Sequence, residues 1–244
     1  MLTKTSFNKI FADTIIGGGF FEGDDYYRRY RDRYFNTLRY IERTSGLARG
    51  LRVLDVGSGQ FACLLQELAD AKPVILDVDD AIAEAVSARE IPFVCHSLAA
   101  DSDPPLDRAS FDVIIMAEVV EHLPTPPYQS LERLRPLLSA DGSLFVTTPN
   151  VARPRNIAKL LVHGGFHQHW EVPDPPRPLG HVREYSLDET TWQCRRAGYT
   201  RVTGDLVQLS MGASSLGAKA WRYACAPLRL YPKLRDSIIV RAQP

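Results

Sequence analysis

The sequence predicts an α/β domain in which a largely parallel sheet carries helices on both faces. Three observations predict it. Residues 51–68 read as a buried strand, a tight glycine turn and a helix, the arrangement that forms a ligand corner at the carboxyl end of a strand. Short apolar runs of strand length alternate with helical patterns up to residue 150. Residues 111–117 (FDVIIMA) are apolar almost throughout, as a central strand covered on both faces must be.

At 244 residues the chain is long enough for one such domain with insertions and short for two full ones. The 29 basic residues balance 29 acidic ones, so no global charge draws the chain to nucleic acid or to an anionic membrane. Four cysteines (Cys63, Cys95, Cys194, Cys225) lack any ligand spacing, which argues against structural zinc and against a disulfide framework. No signal-like start and no bilayer-length apolar run is visible, so a reduced, cytoplasmic location is expected. The expected organisation is a single domain: an N-terminal arm over 1–45, a core over 46–148, and insertions at 149–185 and 210–235.

Residues 1–23, with the run Gly17-Gly18-Gly19, read as an irregular entry arm. Residues 26–41 place Tyr27, Tyr30, Tyr34, Leu38 and Ile41 on one helical stripe. That helix either closes over the ligand corner or packs with its arginines in solvent. In 51–61, Leu51, Val53, Leu54 and Val56 make the first strand, and Gly57 and Gly59 permit a sharp turn and close ligand approach. Residues 73–78 give the second strand and Asp77 its terminal acid, with Asp79 and Asp80 close by and a helix over 81–89. The third strand covers 92–96. The fourth, 111–117, is followed by Glu118, and after a proline break a helix is expected over 128–138. Asp141-Gly142 is a turn pair opening the fifth strand, 142–148. Residues 156–162 look helical, and the histidine- and proline-rich stretch up to 184 has the length of a functional lid. Ser186 and Glu189 form a capping pattern for a helix ended by Gly198. Residues 199–209 and 236–241 complete the set as an antiparallel hairpin around a second insertion.

Two ligand types suit the glycine corner. Gly57 to Ala62 fits the loose dinucleotide pattern GxGxxA, and Asp77 falls about 20 residues on, where a ribose acid belongs. Asp55 opposes that reading, because a carboxylate two places before the first glycine repels a pyrophosphate. It suits a ligand offering cationic or donor groups. The bland alternative is that Asp55 only caps the turn.

The pattern Asp55-x-Gly57-x-Gly59, with an acid ending the next strand, resembles motifs I and II of class I S-adenosylmethionine (SAM) methyltransferases. Glu118-Val119-Val120-Glu121-His122-Leu123 resembles the EVxEHL segment of a subgroup that includes ubiquinone-pathway, glycan and secondary-metabolite methyltransferases. The resemblance implies a Rossmann-like seven-stranded sheet with an N-terminal helical arm and a lid-like insertion after the fifth strand. It implies SAM as cofactor and S-adenosylhomocysteine as product. The implied cofactor-binding residues are Asp55, Gly57, Ser58, Gly59, Gln60 and Phe61 at the turn, Asp77 and Val78 at the ribose, Ser97 and Leu98 at the adenine, and Ala117 and Glu118. Many relatives carry an acid where Ser97 stands, and Asp101 is a substitute. The region around 180–185 resembles part of the acceptor pocket of glycan and secondary-metabolite enzymes.

The implied reaction is methyl transfer to a small-molecule acceptor, most readily a hydroxyl of a sugar, polyketide or other secondary metabolite; nitrogen and carbon stay open. A hydroxyl acceptor needs a base, and histidine titrates near neutral pH. The candidates are His122, which follows the fourth strand, and His181 or His167 on the insertion. His163, His167 and His169 have a spacing that permits a divalent metal, but no metal is expected. Arg183 and Glu184 are expected to pair with each other or to hold the lid shut. The rivals are a NAD-dependent oxidoreductase and a catalytically silent SAM-fold partner protein. No nucleic acid and no membrane span is expected. The N-terminal helix and second insertion serve equally as active-site cover or as a homodimer surface.

Overall fold

The computed structural model describes residues 2–20, 22–165, 180–209, 212 and 215–244. Seven strands form one sheet: β1 (Arg52–Val56), β2 (Lys72–Asp77), β3 (Phe93–Cys95), β4 (Phe111–Ala117), β5 (Leu138–Pro149), β6 (Arg201–Val207) and β7 (Ser237–Gln243). Their order across the sheet is β3-β2-β1-β4-β5-β7-β6. The first five run parallel, and β7 lies antiparallel between β5 and β6. The chain winds outward from β1 in one direction and from β4 in the other. The crevice beyond the carboxyl ends of these two strands is therefore the topological switch point, where α/β sheets hold their ligands.

The helices are α1 (Lys4–Thr14), α2 (Asp24–Ser45), α3 (Gln60–Ala69), α4 (Ala81–Ser87), α5 (Pro127–Leu134), α6 (Pro154–His163), α7 (Leu187–Arg196) and α8 (Leu216–Ala224). Alternation along the strands divides the apolar residues between two cores. Val53, Ile115 and Phe145 face one core with α1 to α4, while Leu54, Ile114 and Leu144 face the other with α5 and α7. The expected architecture is thus the observed one, helical arm included.

Three local readings change. Residues 1–23 are not an irregular arm, because α1 occupies 4–14. Thr3 caps it by accepting the Ser6 amide, and Phe7 and Phe11, four apart, are fully buried against the aromatic stripe of α2. The helix expected over 128–138 is α5 followed by a tight 3-10 turn at 135–137, since Pro136 cannot continue an α-helix. Asp141-Gly142 does not open the fifth strand. β5 already begins at Leu138 and shifts register between Phe111 and Val113, so the pair lies in a bulge. The second insertion contains α8 and two short 3-10 turns. Among the described residues no helix is long and apolar enough to cross a membrane.

The α1 contact with the core is testable. Phe11→Ala is expected to lower unfolding free energy by about 3 kcal/mol in denaturant titration. A loss below about 1 kcal/mol would show that α1 is not part of the cooperative unit.

Candidate active site

Three neighbouring parallel strands end in acids at the switch point. Val56 of β1 is in register with Leu76 of β2 and with Met116 of β4, so the glycine turn, Asp77 and Ala117-Glu118 leave the sheet at one level. Gly57 (φ +131°) and Gly59 (φ +85°) occupy backbone regions that L side chains rarely adopt. A Cβ on Gly59 would stand 2.7 Å from Cδ1 of the buried Ile75, so the turn has no room for a side chain there.

Asp55 caps the start of the following helix. It is 3% exposed, and its Oδ2 accepts the Ala62 amide at 2.8 Å, with the Phe61 amide also directed at it. The capping given by one of its two readings is therefore present, and the carboxylate braces the turn. Burial pushes its pKa up to about 7 against the lowering effect of the two amides. Gln60 and Phe61 face the protein: the Gln60 amide donates to Tyr27 Oη at 3.0 Å, and Phe61 packs on Tyr34 at 5.2 Å between ring centres. Ser58 is half-buried in the turn.

Asp77 accepts the Asp79 amide at 2.9 Å, while Asp79 in turn accepts the Ala81 amide, which makes Asp79 the acid that opens α4. Burial raises the Asp77 pKa above the usual carboxylate range. Val78 is exposed beside it. Ser97 accepts the Ala99 amide, Leu98 turns inward, and its carbonyl accepts Ser130 Oγ and Arg133 Nη1. Asp101 lies exposed on the same loop.

Glu118 is the densest node. It leaves β4 in the left-handed region (φ +57°), uncommon for a residue with a side chain. Its Oε1 accepts Thr147 Oγ1 at 2.9 Å, and its Oε2 accepts Arg33 Nη1 from α2 at 3.0 Å. The Arg33 guanidinium lies 5.7, 5.2 and 5.6 Å from the ring centres of Tyr26, Tyr30 and Tyr34, and Nη2 donates to Tyr26 Oη. Burial disfavours that charge, but Glu118 and the tyrosines outweigh it, so the Arg33 pKa stands well above its ordinary value. α2 is therefore tied into the strand ends, as one of its two expected roles requires.

One turn further on, Glu121 is 1% exposed and its Oε2 accepts Thr148 Oγ1 at 3.0 Å. Burial, then the Glu118 charge, raise its pKa well above normal. His122 lies edge-on to His181, with ring centres 5.0 Å apart. His181 is placed there by the main chain, since the amides of Val182 and Arg183 both donate to the Glu121 carbonyl. Its Nδ1 is 3.0 Å from Glu184 Oε1. Glu184 also accepts from Arg153 and Asn156. Burial raises the Glu184 pKa, but the His181 contact and these partners outweigh it, leaving the value below normal. Of the two expectations for Arg183 and Glu184, their mutual pairing does not form: Arg183 reaches Glu189, and Glu184 pairs with Arg153. His163 is exposed at the end of α6, and His167 and His169 lie outside the described residues.

Residues 27–203 match a family model described as a methyltransferase domain. The chain belongs to that family. It is a class I SAM-dependent methyltransferase with the seven-stranded fold of the group. A ubiquinone biosynthesis O-methyltransferase of Leptothrix cholodnii is 27% identical over 167 residues, spanning 62% of this chain and 70% of the relative. One from Glaesserella parasuis is 31% identical over 124 residues, spanning 46% of this chain and about half (51%) of the relative. A crystal structure of a SAM-dependent methyltransferase from Archaeoglobus fulgidus superposes with a TM-score of 0.58 at 13% identity, covering 90% of this chain and 98% of that one, which shows the shared fold.

The residues of this methyltransferase suit its cofactor. The carboxylates of Asp77 and Glu118 beside a turn whose Gly57 and Gly59 lack a Cβ would suit a sulfonium, an ammonium and a ribose diol, and would repel a pyrophosphate. Sequence reasoning missed Thr147, Thr148 and the Arg153–Asn156–Glu184 network, which only the tertiary fold brings together. The Glu118-x-x-Glu121 spacing was the available signal for Glu121.

Asp55 gives a pH prediction with a definite sign. Between about pH 4 and 7 the unfolded chain has lost this proton and the native chain keeps it, so stability falls as pH rises, by roughly 4 kcal/mol at most for a shift of about 3 pH units. Asp55→Asn is expected to flatten that decline in denaturant titrations across the range. A variant profile parallel to wild type would contradict it.

Proposed function

We propose that the chain transfers the methyl group of SAM to a hydroxyl of a small-molecule acceptor. The observation that carries the reading is the His181–Glu184 pair beside His122, one turn from Glu118 at the cofactor edge. When bound, SAM supplies an electrophilic methyl on a sulfonium. Within this reading, Gly57, Ser58 and Gly59 let the cofactor approach the backbone, and Asp55 keeps the turn in shape with Gln60 and Phe61 packed behind it. Asp77 accepts the ribose hydroxyls with Val78 alongside, and the Ser97-Leu98 loop borders the adenine. Ala117 and Glu118 border the methionine portion. Arg33 meets the cofactor carboxylate by exchanging part of its Glu118 pairing.

The acceptor corner is the His122–His181 side. Glu184, an ionised carboxylate against Nδ1, favours the tautomer that donates from Nδ1 and leaves a lone pair on Nε2. That lone pair serves a hydroxyl either as proton acceptor or as donor to a cation that binds it. His167 belongs to the same proposal as an insertion residue. Oxygen is favoured over nitrogen because two curated relatives are named O-methyltransferases. A sugar or secondary-metabolite acceptor is the finer proposal, resting on the resemblance around residues 180–185.

The test is incubation with methyl-labelled SAM and a panel of catechols, phenols and sugars, with product read by mass and by the shift of the labelled carbon. Label on oxygen supports the reading, and label on nitrogen or carbon sinks it. On the active acceptor, Glu184→Gln is expected to lower kcat at least tenfold, of the order seen when a histidine loses its orienting carboxylate. Its pH profile should shift while S-adenosylhomocysteine affinity holds. Unchanged kcat would remove His181 from the chemistry.

A further inference from the structure

We infer that Glu121, His122 and His181 hold a divalent transition-metal ion at the acceptor edge. Each offers one ligand atom, and these atoms lie within 4.8 Å of one another. Tetrahedral ligands at bonds of about 2.0–2.1 Å sit about 3.4 Å apart, so side-chain adjustments of roughly an ångström complete the set.

Four further observations point to a ligand. Glu121 is 1% exposed, and while Oε2 takes the Thr148 hydroxyl, Oε1 has no hydrogen-bond partner among the described residues. A buried carboxylate oxygen left alone is costly, and a cation removes that cost. The two amide bonds from Val182 and Arg183 to the Glu121 carbonyl fix the His181 segment against the glutamate, independent of any side chain. Glu184 holds His181 at Nδ1, and is itself held by Arg153 and Asn156, the outer-shell arrangement that orients ligating histidines. His122 and His181 are half-buried, and three protein ligands leave a fourth position for water or substrate, which is the pattern of a catalytic rather than a structural site.

Two imidazoles and one carboxylate favour zinc, cobalt, manganese or iron over calcium or magnesium, which prefer all-oxygen sets. The site differs from the cluster of His163, His167 and His169 that the sequence spacing permits, and it departs from the expectation of no metal. Its role rests on the proposed acceptor corner: the ion binds the acceptor oxygen and lowers its pKa, and the proton leaves to solvent. Ion binding itself does not depend on that role.

The experiment is titration of chelator-treated full-length protein with Co²⁺, read by visible absorption, alongside metal analysis of the purified protein. One ion per chain with four- or five-coordinate Co²⁺ bands is expected, displaced by Zn²⁺. Affinity should fall at least 100-fold in Glu121→Gln and in His181→Ala, about 10-fold or more in Glu184→Gln, and hold in the double variant His167→Ala/His169→Ala. Calorimetry with S-adenosylhomocysteine reports folding and the cofactor site separately, and His181→Ala, a half-exposed position, guards against misfolding of Glu121→Gln. No uptake, or uptake unchanged in His181→Ala, overturns the site. Uptake lost only in the double variant moves the ion to the insertion and equally overturns it. Metal binding without methyl transfer to any hydroxyl would fault the proposed function and leave the site standing.

Discussion

The pairing of Glu118 with Arg33 and Thr147 is the contact on which the arrangement of this methyltransferase depends. It joins the end of β4, the neighbouring end of β5 and the N-terminal helix α2 at one carboxylate. Both side chains of the ion pair are largely shielded, 15% and 20% exposed, so each charge needs the other. Removing one partner of such a pair typically costs several kcal/mol, whereas the intact pair adds little net stability. Its value lies in position. Glu118 is held in a left-handed backbone state at the edge of the switch-point crevice, a strained state that packing and three hydrogen bonds with Arg33 and Thr147 maintain.

From that node the two halves of the site follow. On one side lie the glycine turn and Asp77, whose shape and charge suit a cationic diol-bearing cofactor. On the other, one turn along the chain, Glu121 sits buried beneath His122 and His181, with Glu184 bracing the second histidine from a distant segment. The tie through α2 also explains why an aromatic stripe with arginines begins the domain. Tyr26, Tyr30 and Tyr34 surround the guanidinium, and Asn36 and Tyr40 reach Leu209, just after β6, and Asp205, on that edge strand.

The sheet and the glycine turn were legible because local rules govern them. Apolar runs of strand length, paired glycines and a terminal acid specify a strand–turn–helix corner with little help from distant residues. α1 was overlooked because Gly17 to Gly19 drew attention from the Phe7–Phe11 repeat before it, and that repeat matters only once α2 is there to receive it. The meeting of His122 and His181 was legible only in outline. His122 and His181 were named, but their meeting depends on two main-chain bonds across 60 residues of sequence. Asp55 taught a different lesson: the residue type was informative about the family, while its carboxylate turned out to serve the backbone of the turn.

The central claim is that the corner built by Gly57, Gly59, Asp77 and Glu118 binds SAM and not a dinucleotide. Calorimetric titration with S-adenosylhomocysteine and NAD in parallel, on wild type and Asp77→Ala, tests it most directly. The account predicts heat with S-adenosylhomocysteine alone, and weaker binding after the substitution. Binding of NAD alone, or S-adenosylhomocysteine affinity indifferent to Asp77, would contradict it.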